Sequence, residues 1–133
     1  TTEIYTLSLH DALPICENIV LLDHVSVHPG TSIGNSTFIC SNTNIGHGCR
    51  IGDICWINAG VAVAGETTIG DNTFIGINAA VGDNLQIAEA CYIGASTLIT
   101  RSTAAAEVYV SASGERFPLP SDRFLKFIER RQP

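Results

Sequence analysis

From Ile15 onward, every sixth residue is aliphatic. The series runs Ile15, Leu21, Val27, Ile33, Ile39, Ile45, Ile51, Ile57, Val63, Ile69, Ile75, Val81, Ile87, Ile93 and Ile99, fifteen positions without an insertion. Ile, Leu and Val account for 33 of the 133 residues, so an unbroken run of this length is not chance. A helix cannot use such a period, because 3.6 residues per turn would spread the aliphatics around the whole cylinder. Short strands joined by tight turns can.

With the aliphatic as first position, the second is often glycine (Gly34, Gly46, Gly52, Gly70, Gly76, Gly82, Gly94). The fifth is small or β-branched (for example Thr31, Thr37, Thr43, Cys49, Cys55, Thr67, Thr73). Fifth and following first positions lie two residues apart, so in a strand both point inward. Gly, Asn and Asp between them supply turns. Three strands close a coil of eighteen residues. Residues 15–104 then hold five coils of an all-β parallel β-helix, and residues eighteen apart stack on one face.

Units such as Ile69-Gly70-Asp71-Asn72-Thr73-Phe74 resemble those of the hexapeptide-repeat acyltransferases. The resemblance implies a left-handed coil, an exception to the usual right-handed crossover, and a homotrimer. Within that family the stretch His47-Gly48-Cys49-Arg50-Ile51-Gly52 is most similar to the sialic-acid O-acetyltransferases and the bacillosamine-pathway sugar N-acetyltransferases. It implies that His47 is the catalytic base and that Gly65, one coil later, donates its amide to the thioester oxygen. Phe74-Ile75-Gly76-Ile77-Asn78 and Ile93-Gly94-Ala95 match stretches that line the acetyl-CoA arm, so Gly65, Gly76, Ile77, Asn78, Gly94 and Ala95 are the expected cofactor contacts. The implied reaction is acetyl transfer from acetyl-CoA to an amino or hydroxyl group of a sugar or nucleotide-sugar. Relatives often place an acid directly after the histidine. Here that residue is Gly48, so another group must fix the imidazole tautomer, and an acid restored at 48 is expected to be neutral or activating. Relatives also commonly carry an N-terminal sugar-nucleotide-binding domain, and none is read in this chain.

Two other function classes compete. One is a non-catalytic or truncated trimeric β-helix scaffold. The other is a metal enzyme like the γ-type carbonic anhydrases, which use this prism to hold zinc with three histidines. His24, His28 and His47 fall in different columns of the repeat, so no metal ligand is assigned. Asn35, Asp53, Asp71 and Glu89 share a column, but Asp and Asn suit turns, and the column reads as turn chemistry. Phe38, Trp56, Phe74 and Tyr92 form an outward aromatic column, and Ala62, Ala80 and Leu98 a small apolar one. Both suit burial by a partner subunit or the C-terminal arm.

A net charge of −6 offers no basic face for phosphates, so no nucleic-acid partner is expected. No membrane span is expected either, since the longest aliphatic run is Ile19-Val20-Leu21-Leu22. Five cysteines without a CxxC pair read as buried thiols of a cytoplasmic protein. Residues 1–14 lie outside the hexad register and resemble a translated sequencing adapter, which sets His10 aside as well. The β-helix is expected over 15–110, with a closing strand at 107–110. An arm over 111–133 is expected to hold a short helix, N-capped by Ser121, that covers the open end of the prism.

Overall fold

A computed structural model describes residues 16–130. The lead-in over 1–14, Ile15 and residues 131–133 lie outside the described residues. Fifteen two-residue strands precede one helix. They form three parallel sheets visited in rotation. The first face stacks Val20–Leu21, Phe38–Ile39, Trp56–Ile57, Phe74–Ile75, Tyr92–Ile93 and Val108–Tyr109. The second stacks Ser26–Val27, Asn44–Ile45, Ala62–Val63, Ala80–Val81 and Leu98–Ile99. The third stacks Ser32–Ile33, Arg50–Ile51, Thr68–Ile69 and Gln86–Ile87. The result is a left-handed β-helix of about five coils.

Register follows the eighteen-residue rule, with Phe38 paired to Trp56, Ala62 to Ala80 and Arg50 to Thr68. Every predicted aliphatic from Val27 to Ile99 is buried, and Leu21 is half-buried. The chain turns between faces by placing one residue per hexad, the fourth, at positive φ: Asn42, Gly48, Ile54, Gly60, Glu66, Asn72 and their equivalents lie between +52° and +76°. Proximity of the next coil's backbone requires glycine at Gly34, Gly46, Gly52, Gly70 and Gly76. A Cβ on Gly76 would stand 2.5 Å from Ala95 N, and one on Gly52 would stand 2.8 Å from Asp71 N.

Fifth-position hydroxyls join successive coils. Buried Thr67 donates through Oγ1 to Gly82 O at 2.7 Å and accepts from Leu85 N at 3.1 Å. Thr67→Val keeps the shape but leaves that amide without its acceptor. It is expected to cost about 1–3 kcal/mol, checked by thermal or urea unfolding.

Only the fifth-position cysteines, Cys49, Cys55 and Cys91, are buried; burial pushes the Cys49 and Cys55 thiols up. The expectation of five buried thiols is therefore corrected. Cys16 and Cys40 occupy second positions, at the edge of the prism, and are exposed and half-buried.

The C-terminal end departs from expectation too. After Ile99 the coil shortens, so that Tyr92 pairs with Val108, sixteen residues on. The last rung is closed by segment 102–107: Ser102 Oγ accepts from Gln86 N, and Thr103 Oγ1 accepts from Ala88 N. The helix α1, Ser121–Glu129, buries no side chain. Pro120, not Ser121, holds its N-cap position, and no side chain caps it. Phe124 packs instead edge-on against Phe117 of the arm, 5.0 Å between centroids. Among the described residues no helix is long and apolar enough to cross a membrane.

Candidate active site

His47 stands at the edge between the second and third faces, in the third position of its hexad, and its side chain is 69% exposed. The corner that carries it is held by Gly48 N donating to Pro29 O at 3.0 Å and by Glu66 N donating to His47 O at 2.8 Å. One coil on, Gly65 occupies the same column. The imidazole lies across it: a Cβ on Gly65 would stand 2.5 Å from His47 Cε1, 2.8 Å from Nδ1 and 2.9 Å from Nε2. Glycine is needed at 65 for that approach.

The Gly65 amide differs from its counterparts in the next column round. There, Asn35 N donates to Asp53 Oδ1 at 2.6 Å and Asp53 N to Asp71 Oδ1 at 2.8 Å. These carboxylates are turn caps, as their residue types suggest. The Gly65 N–H has no acceptor among the described residues. An exposed imidazole beside an unused backbone donor can take a proton and stabilise a developing oxyanion.

A residue missed from the sequence completes this corner. Glu66 Oε1 lies 3.8 Å from His47 Nε2, longer than a hydrogen bond but within ion-pair range, and the Glu66 side chain is 62% exposed. Glu66 stands eighteen residues after Gly48, so the stacking rule could have found it had the search for a carboxylate extended one coil. The same geometry corrects the expectation for Gly48. A Cβ there would stand 2.7 Å from Glu66 Cδ and 2.9 Å from Oε2, and Gly48 has φ +65°. An acid added at 48 beside Glu66 would meet both a steric and a like-charge conflict, so Gly48→Glu alone is expected to be deleterious.

Gly76, Ile77, Asn78, Gly94 and Ala95 do not join His47 within one protomer. They lie on the opposite edge of the second face, where it meets the first. Ile77 and Asn78 are exposed, whereas Gly76 and Gly94 are buried. Beside Gly94 and Ala95 the chain forms an open groove with Ser96, Ser111, Ser113 and Gly114, and Ser111 Oγ donates to Ala95 O at 2.8 Å. Small uncharged walls of this kind fit a slender amide-bearing arm such as pantetheine. His24 and His28 are both exposed; among the described residues no three His, Cys, Asp or Glu side chains converge on a metal-sized site. The aromatic column stacks in pairs, Phe38 on Trp56 and Phe74 on Tyr92, each at 4.7 Å.

Residues 48–76 and 66–101 match the family described as bacterial transferase hexapeptide (six repeats). No match was found among curated protein sequences. Among solved structures, UDP-N-acetylglucosamine O-acyltransferase from Moraxella catarrhalis is similar at 26% identity and a TM-score of 0.70, over 77% of this chain and 43% of that one. The acetyltransferase domain of PglB from Neisseria gonorrhoeae is similar at 15% identity and a TM-score of 0.55, over 76% of this chain and 56% of that one. A perosamine N-acetyltransferase variant from Caulobacter crescentus, solved with CoA and GDP-perosamine, is similar at 21% identity and a TM-score of 0.50, over 76% of this chain and 51% of that one. The chain thus spans between about two fifths and three fifths of the length of these structures, and the latter two likenesses concern the fold. The hexad that runs through the three stacked parallel sheets is the same repeat that the family match describes over 48–101, so over its coils the chain is similar to the hexapeptide-repeat bacterial transferases.

Proposed function

We propose that the protein is an acetyl-CoA-dependent acetyltransferase acting on an amino or hydroxyl group of a sugar or nucleotide-sugar. The observation that carries this reading is the His47 imidazole lying across Gly65, whose N–H has no other acceptor. In the proposed reaction the acceptor nitrogen or oxygen attacks the thioester carbonyl. His47 removes its proton, and the Gly65 N–H receives the developing oxyanion. The new C–N or C–O bond forms, the C–S bond breaks, and the proton passes from the imidazolium to the departing thiolate.

Placement of the expected cofactor residues on the other edge of the second face supports a trimeric site. Threefold rotation about an axis parallel to the prism, with second faces inward, sets the His47 edge of one copy against the Gly76 and Ala95 edge of the next. The small column Ala62, Ala80 and Leu98 suits that packing; Leu98 is 67% exposed in the single chain. Thiol release from acetyl-CoA with a panel of amino-sugar nucleotides tests the activity. Absence of acceptor-dependent release in a trimeric preparation would favour the scaffold reading. Leu98→Glu is expected to convert a species of three times 14.1 kDa into monomers in sedimentation and to abolish transfer with it. A fully active Leu98→Glu monomer would defeat the shared site.

A further inference from the structure

We infer that Glu66 is the positioning residue for the His47 imidazole, taking the part that an acid directly after the histidine plays in related sequences. This rests on the proposed role of His47. Gly48 and Glu66 occupy the same fourth position in successive coils, both at positive φ. The first side-chain atom of any residue at 48 would fall against the Glu66 carboxylate as it stands, and that exposed carboxylate would have to swing away. In this chain the acid of this corner stands at 66.

His47 and Glu66 are the one acid–base side-chain pair within 4 Å among the described residues, an ion pair only when the imidazole is protonated. Glu66 N donates to His47 O at 2.8 Å, the bond that successive coils repeat at their corners, and this stacks the Glu66 side chain beside the ring with Oε1 3.8 Å from Nε2. A carboxylate at Nε2 favours the tautomer with its proton there. Nδ1, beside Gly65, then keeps the lone pair that accepts the acceptor proton. Once that proton is transferred, the carboxylate also faces the new positive charge. The pair is solvent-exposed, so its contribution is modest and sensitive to salt.

The test uses four proteins: wild type, Glu66→Ala, Glu66→Gly, and the double variant Gly48→Glu with Glu66→Gly. Ring 15N resonances of neutral His47, which distinguish a protonated nitrogen from one with a lone pair, are recorded alongside steady-state kinetics. Glu66→Ala and Glu66→Gly are expected to lower kcat by about two- to fivefold with little change in KM for acetyl-CoA, and to draw the two ring resonances toward each other as the tautomers mix. The double variant is expected to recover at least half of the loss on a logarithmic scale and to re-separate the resonances. Unchanged ring resonances in Glu66→Ala would overturn the assignment even if turnover fell, because a purely structural role leaves the tautomer alone. A double variant no better than Glu66→Gly would overturn the exchange of positions, provided its thermal unfolding matches that of Glu66→Gly. If the wild type shows no acetyl transfer, the proposed activity fails, while the resonances still decide whether Glu66 orients the ring.

Discussion

His47→Ala is expected to lower kcat by roughly 10²–10⁴-fold while leaving the affinity for acetyl-CoA nearly intact, a rise of about 2.7–5.4 kcal/mol in the barrier. The split follows from placement. His47 lies at the edge between the second and third faces, whereas the expected cofactor residues Gly76, Asn78 and Ala95 lie at the other edge of the second face. Removing an exposed imidazole should not disturb the core, because the nearest inward residues, Ile45 and Cys49, are already fully buried behind it. Melting temperature is therefore expected to stay close to that of the wild type. Unchanged turnover in His47→Ala, in a preparation with confirmed acetyl transfer, would remove this mechanism and leave the scaffold standing.

Gly65→Ala is expected to lower kcat by about 10²–10⁴-fold at nearly wild-type stability, because it keeps the backbone N–H but displaces the general base. The atoms nearest its added Cβ belong to the imidazole, which can swing into solvent, so the fold is spared. Gly46→Ala is the contrasting variant. Its Cβ would stand 2.6 Å from Gly65 N and 2.9 Å from Ala64 C, and backbone in a stacked coil cannot retreat. Overpacking of this kind costs about 1–3 kcal/mol, so Gly46→Ala should lose stability along with activity. Thermal unfolding beside kinetics separates the two cases. A large fall in melting temperature for Gly65→Ala would refute the claim that only His47 requires a glycine there. Gly76→Ala belongs with Gly46→Ala, because it meets Ala95 N at 2.5 Å, and its loss of activity would not by itself identify a cofactor contact.

Much of the fold was legible because a β-helix is nearly one-dimensional. Each coil contacts mainly the coils before and after it, so a period in the chain becomes a period in space. The inward aliphatics, the stacked pair His47 and Gly65 and the turn column of Asp53 and Asp71 all followed from counting. The cysteines were misjudged where the count was not applied: Cys16 and Cys40 stand in second positions and face outward. Glu66 was missed because the search for a carboxylate looked along the chain from His47, not up the stack. Beyond Ile99 the period ends, and with it the sequence's grip on geometry. The shortened last coil depends on which hydroxyls reach the final rung.

The repeat by itself determined the strands, their register and the faces on which side chains lie, since short-range turn sterics and a single buried stripe leave one consistent arrangement. The tertiary structure alone decided that the Glu66 carboxylate turns toward His47. Side-chain direction across coils is set by through-space contacts, and a linear period carries no term for it.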